Sequence, residues 1–379
     1  MKAQKNQRCY KCGNPLEEEN SADEHVLLNA IGGKLKSKDL LCEGCNSTIG
    51  GEADAELAKQ LAFFSTYFPI KRDRGKTPTL KGFKSESGKD YNMQPGGRPE
   101  FGRPEIEEKK VGDEVEISAS AKNEKELTTI LGSLKKRFPD IDLDKWKEKY
   151  EWKEDYIDET LHFESHIGGD LAFKSILKTA INFYVLKKGS FIELKSAIDS
   201  LITEERMDMV NQFYPTKKIY KKEPKEVVHL IHLVGRKHER VLYCFIEFFS
   251  TYSFVVKLSD DYDGKNFKET YCYNILTCKE LKKDVKLNFS ANELKEALTT
   301  PALPSDIIKK ANRAMKIGQD IQTDNEISRI VGKAVDEVFN KYKHEPLITR
   351  QMIDEFSEKV AEAYVKFALR NKKRRDIFE

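Results

Sequence analysis

The sequence predicts an α+β protein in which a small metal-stapled N-terminal module precedes a region with an antiparallel sheet and a helical C-terminus. Three observations carry this prediction: two Cys-x-x-Cys pairs within the first 45 residues, a run of β-branched and aromatic segments between Glu226 and Cys278, and a C-terminal stretch of helical pattern from Ser305. A length of 379 residues allows two or three domains with real cores. The divisions read from composition are 1–70, a basic Gly/Pro-rich connector at 71–112, an α+β region at 113–300 and a helical segment at 301–379. Charged residues make up 34% and apolar residues 39%, which fits folded modules with wet surfaces and excludes a fully disordered chain. The net charge of +3 means that any nucleic-acid contact must come from local basic patches.

The elements follow in order. Leu57, Leu61, Phe64 and Phe68 recur at helical spacing, so one amphipathic helix closes the first block. Residues 69–110 turn basic and rich in glycine and proline, which favours an extended connector or short strands. EVEISAS at 114–120 alternates as a strand, and the helix after it has Asn123 as N-cap, Glu126 three residues on and Pro139 beyond its end. Residues 170–211 give two helices joined at Gly189 and Ser190, each with an apolar stripe that needs a partner. EVVHLIHLVG, RVLYCFIEFF, YSFVVKLS and KETYCYNIL, separated by turn-like RKHE and DDYDGKN, read as an antiparallel meander on which those helices pack. From Ser305 the pattern gives three helices, the last starting near Thr349 and ending in the basic run Arg370, Lys372, Lys373, Arg374 and Arg375.

No stretch approaches the roughly 20 apolar residues of a membrane span. The N-terminus lacks the apolar core of a secretory signal, so the expected compartment is the cytoplasm, with no membrane partner. Seven cysteines are too few for a disulfide scaffold, and the clustering of Cys9, Cys12, Cys42 and Cys45 points to a metal. Two residues between thiolates let both sulfurs turn inward on one ion, and four soft thiolates favour structural Zn2+. No thioredoxin-like βαβ pattern surrounds either pair, which argues against a redox role. His162 and His166 lack a cysteine or carboxylate framework, and His229 and His232 face opposite sides of a strand, with His238 in the turn beyond. Cys244, Cys272 and Cys278 read as small core residues.

The insert between the cysteine pairs carries Glu24-His25, a Gly32-Gly33 turn and Asp39-Leu40, and Cys45-Asn46 then opens a helix. In this order, bracketed by two zinc knuckles, residues 9–68 resemble the HNH endonucleases of the ββα-metal class. The resemblance implies a metal-dependent hydrolysis of DNA phosphodiester bonds. His25 would be the general base, with Glu24 and Asn46 as ligands of a catalytic Mg2+ or Mn2+. Asp39 stands where the family has a central asparagine, and Leu28 where many members have proline. Read as residues alone, Asp23 is an alternative acid to Glu24, Asn46 also suits a helix N-cap, and Asp54 suits a solvated helix face.

Cleavage needs the phosphate backbone held close, which calls for lysine and arginine. Lys71, Arg72, Arg74 and Lys76 follow the module directly and are the best-placed run. Lys217, Lys218, Lys221 and Lys222, and the C-terminal tail, are further runs. The downstream region would select substrate or regulate activity, alone, as a homodimer or with a partner protein, in a setting such as restriction or phage defence. The rival reading is a catalytically decayed zinc-dependent nucleic-acid-binding module.

Overall fold

The computed structural model describes residues 6–111, 114–121, 123–139, 156–157, 159–203 and 207–375. The chain divides into two compact units, one of Met1–Leu80, Pro95–Gly97 and Glu164–Gly318, the other of Lys81–Gln94, Arg98–Phe163 and Gln319–Glu379.

The first unit opens with a hairpin of two very short strands, β1 (Glu24–His25) and β2 (Lys36–Ser37), paired Glu24 to Ser37 and His25 to Lys36. Between them the chain makes a single 3-10 turn at Asn29–Ile31 and doubles back so closely that a Cβ at Gly33 would lie 2.0 Å from the Leu27 carbonyl oxygen. Only glycine allows that approach. Helix α1 (Glu43–Gln60) then completes a ββα unit. The single closing helix expected from the sequence breaks at Leu61 into α1 and the short α2 (Ala62–Tyr67), yet Leu57, Leu61, Phe64 and Phe68 are all buried as their spacing requires.

The meander is present. Strands β10 (Val228–Arg236), β11 (Val241–Phe248), β12 (Tyr252–Ser259) and β13 (Phe267–Asn274) form an antiparallel sheet, extended by β9 (Val210–Gln212) and β14 (Lys279–Glu280) in the order β14-β13-β10-β11-β12-β9. Both faces are covered, which explains the near-continuous apolar runs of its strands. One face, with Val228, Leu230, Val234, Tyr243 and Phe245, packs beneath Val285, Leu287 and Phe289 and the helix α6 (Ala291–Thr299). The other receives α4 (Asp170–Lys188) and α5 (Lys195–Ile202), with Phe173 against Phe254. It also receives α2, which follows the ββα unit, through Phe64 against Phe249 and Tyr252. Two expectations need correction. The second helix of the 170–211 pair ends at Ile202, and Val210–Gln212 is instead an edge strand bonded to β12. Cys278 is exposed in a turn with φ of 54°, whereas Cys244 and Cys272 are core residues.

The second unit contains the sheet β5-β4-β3-β8, built from Leu80–Ser85 (β3), Asp90–Gln94 (β4), Arg98–Phe101 (β5) and Leu161–His162 (β8), and the hairpin of β6 (Glu105–Val111) with β7 (Glu114–Ser120). Helix α3 (Glu124–Arg137) starts as its sequence demands, the Asn123 Oδ1 accepting the Glu126 amide at 2.9 Å. The C-terminal stretch makes two helices, α7 (Pro304–Lys341) and α8 (Arg350–Arg375), where three were expected. No proline interrupts residues 305–345, so nothing forces a break. The side chains of the basic run from Arg370 lie outside the described residues.

His229, fully buried on β10, ties the sheet to the ββα unit. Its Nδ1 accepts from the Phe249 amide at 3.3 Å, which places the ring proton on Nε2, and Nε2 donates to the Ile31 carbonyl at 2.9 Å. Burial pushes its pKa down to about 4 from an ordinary 6.5, against an upward pull from Ile31 and Glu247. A base whose folded pKa is depressed binds more protons when unfolded, so its contribution is intact above pH 6.5 and drains away as the pH falls towards 4. For His229 alone this amounts to about 2 kcal/mol between pH 7 and pH 5. Urea unfolding at those two pH values checks it: His229→Gln should show a smaller pH-dependent loss than the wild type, and equal losses would contradict the assignment.

Candidate active site and metal centre

Cys9 and Cys12 sit on the N-terminal knuckle, and Cys42 and Cys45 at the start of α1. Their four sulfurs lie within 4.8 Å of one another. Sulfurs around a tetrahedral zinc at 2.3 Å are about 3.8 Å apart, and the Cys12 to Cys42 separation is 3.9 Å. Burial raises the Cys9 thiol, but the amides around Cys12, Cys42 and Lys11 outweigh it and bring its pKa down to about 7. Burial and the neighbouring thiols push Cys45 well up. Four thiols this close need a cation before all can ionise, and the all-sulfur donor set suits zinc. Among the described residues no other cluster of histidine, cysteine and acid has this geometry, and neither His162 nor His166 belongs to such a cluster.

The second cysteine pair also fixes Asn46. Helix α1 is capped at Cys42, and the Asn46 amide already donates to the Cys42 carbonyl at 2.9 Å, so the residue lies in the first turn and is not an N-cap. Its side-chain amide has no protein partner among the described residues. Upstream, β1 sends its two residues to opposite sides, as extended backbone must. His25 points outward, and its Nε2 meets Asp73 Oδ2 at 3.0 Å. Asp73 is anchored three ways: its carboxylate also binds Lys34 at 2.6 Å, and its amide donates to Asn29 Oδ1 at 2.7 Å. Lys34, then His25, hold its pKa down to about 2. With Nε2 directed at a carboxylate, that nitrogen carries the proton, and Nδ1 is left as an acceptor without a protein partner.

Glu24 points inward and is 7% exposed. Its Oε1 receives the ammonium of Lys178 at 2.7 Å and the amide of Asn182 at 3.3 Å, both from α4. The same ammonium binds Asp54 Oδ2 at 2.8 Å, Ser175 donates to Asp54 Oδ1 at 2.6 Å, and Tyr10 of the first knuckle donates to Asn182 at 2.9 Å. Ser175, Lys178 and Asn182 recur one turn apart, which puts them on one face of α4. Gly50 on α1 makes room, since a Cβ there would come within 2.5 Å of the Lys178 nitrogen. Burial alone would lower the Lys178 pKa, but Asp54 and Glu24 outweigh it and hold it above the ordinary lysine value. Breaking such a buried pair costs about 3–5 kcal/mol. Asp54 is therefore committed to a tertiary ion pair and is not the solvated face residue its sequence position suggested.

Residues 9–62 match the family model of the HNH endonucleases. This segment is an HNH endonuclease domain. No curated protein and no solved structure matches the chain. The HNH match points to a nuclease acting on nucleic acid and ends before α4, so Lys178 and Asn182 come from outside it.

Glu24 and Asn46 each offer an oxygen donor of the kind a hard divalent cation takes. Oε1 is taken, but Oε2 has no protein partner among the described residues, and the Asn46 amide is equally uncommitted. One carboxylate oxygen and one amide oxygen leave an open shell of the kind Mg2+ and Mn2+ keep. Asp23, the alternative acid, is instead paired with Lys36 at 2.5 Å. Asp39, in place of the family asparagine, is held through its backbone, its amide donating to Ser37 Oγ and its carbonyl accepting from Asn6.

Of the basic run after the HNH domain, Lys71, Arg74 and Lys76 are exposed, whereas Arg72 is half-buried with its Nε shielded from solvent. In the later run Lys222 is ion-paired at 2.6 Å with the buried Glu247, a structural contact.

Reading the residues one by one missed Asp73, Lys178 and Asn182. Asp73 is the one acid in the run from Lys71 to Lys76, and Lys178 and Asn182 are polar residues on the buried side of an apolar helix. Those are the signals that were available. Metal analysis of the purified chain should find one zinc, and Cys42→Ser should lose it together with several degrees of thermal stability. A zinc-free variant as stable as the wild type would show that the cysteines do not staple the domain.

Proposed function

We propose that the chain is a divalent-metal-dependent DNA endonuclease with His25 as general base and Glu24 and Asn46 as metal ligands. The observation that supports it is that His25 Nδ1, Glu24 Oε2 and the Asn46 amide, all in one ββα unit, are left without protein partners while the groups flanking them are paired. A cation held by Glu24 and Asn46 would supply charge for the phosphoryl oxygens and the departing alkoxide. His25 accepts a proton from water at Nδ1 as the water oxygen attacks phosphorus, and the bond to the leaving oxygen breaks. Asp73 holds the ring in the required tautomer through Nε2 and pairs with the positive charge that develops there. Lys71, Arg74 and Lys76, on the same loop as Asp73, hold the backbone phosphates.

Plasmid nicking with Mg2+ or Mn2+ tests the centre. His25→Ala should lose at least about 100-fold in rate, and Asp73→Asn roughly 10- to 100-fold. Folded, zinc-loaded protein that never cuts DNA, or an alanine variant that cuts as well as wild type, refutes the assignment. Neutralising Lys71, Arg74 and Lys76 should weaken DNA binding and flatten its salt dependence, the log–log slope falling by about 0.9 for each phosphate no longer neutralised. Binding that stays the same across several salt concentrations removes this loop from the interface.

A further inference from the structure

We propose that α4 contributes a positioning residue to the nuclease centre from outside the HNH domain. Lys178, with Asp54 as its counter-charge and Asn182 beside it, fixes Oε1 of Glu24 so that Oε2 is the oxygen presented to the divalent cation. This rests on the reading of Glu24 as a metal ligand.

An ammonium on a metal-binding carboxylate invites the opposite idea, a plug that must withdraw before a cation enters. The surroundings speak against a plug. Lys178 is 3% exposed on a helix whose flanking Ile176, Leu177, Ala180 and Ile181 are completely buried. Withdrawing it would strand a desolvated charge and pull apart the contacts of Ser175 and Asn182 on the same face. The network is also paired group by group: the ammonium has two carboxylates, Asp54 has Ser175 as a second donor, and Asn182 takes one hydrogen bond from Tyr10 while giving one to Glu24. Polar networks satisfied in this way rigidify the groups they hold.

The division between the two oxygens gives the network its consequence. A carboxylate on a two-residue strand can rotate, and a cation site needs it fixed. Two donors on Oε1 set that rotation and leave Oε2 as the remaining acceptor. Asp54 matters because Lys178 alone would cancel the charge of Glu24. With Asp54 present the trio keeps one net negative charge for a cation. Metal ligands are commonly oriented by such outer partners, and here the partner belongs to the helix that packs on the large sheet.

The test uses full-length, zinc-loaded protein and the free Mn2+ electron paramagnetic resonance signal as a binding readout. Lys178→Met, and Lys178→Met combined with Asp54→Asn so that Glu24 is the one charged member of the trio left and the net charge stays −1 as in the wild type, should each weaken Mn2+ binding at least tenfold. Zinc content should not change. Asn182→Ala, which leaves the ion pair in place, should weaken binding by a smaller factor and carries the comparison if the other variants do not fold. Wild-type or tighter Mn2+ binding in the folded double variant, with Glu24→Gln still abolishing it, overturns the positioning role and leaves the Glu24 assignment standing. If Glu24→Gln binds Mn2+ like wild type, the ligand assignment falls and the proposal falls with it.

Discussion

The convergence of four thiolates from two short turns is the constraint on which the N-terminal unit rests. Two strands of two residues each and one helix cannot define a unique arrangement by hydrogen bonding alone. The cysteine cluster joins the chain near residue 10 to the start of α1, closing a loop that contains both Glu24 and His25. Because Cys42 is both a metal-site residue and the cap of α1, the position of the cluster dictates where the first turn of that helix, and with it Asn46, comes to lie. The apolar side of the same loop, Val26, Leu27, Ile31, Leu40 and Leu41, is almost entirely buried. Its supports include the sheet, through the His229 hydrogen bond to Ile31.

Much of this was legible in the sequence because it is local. A Cys-x-x-Cys pair states its own geometry, Asn123 caps a helix through a contact three residues away, and β10 to β13 announce themselves by β-branched and aromatic runs between turns. What was not legible depends on partners far along the chain. Lys178 meets Glu24 across 154 positions and Asp54 across 124, and nothing in the helix sequence says which carboxylate its ammonium will find. Asp73 was hidden by its neighbours, since a run of lysine and arginine reads as a solvated basic surface and its single acid as noise. The edge strand at Val210–Gln212 is a case where pairing with β12 overrides a helical pattern.

Charge organisation separates the two sides of β1. On the inner side Glu24, Lys178 and Asp54 form a desolvated trio with one negative charge left over. On the outer side Asp73 and Lys34 cancel, so His25 borders a pair with no net charge. In the proposed reading a divalent cation binds on the inner side, where the surplus lies, and the imidazole on the other side handles protons. A strand of two residues achieves this separation simply because successive side chains point to opposite faces, and the two faces see different environments: a buried helix on one and a solvent-exposed loop on the other. Moving either residue by one position would exchange their surroundings, putting an imidazole beside a buried ammonium or a carboxylate beside Asp73.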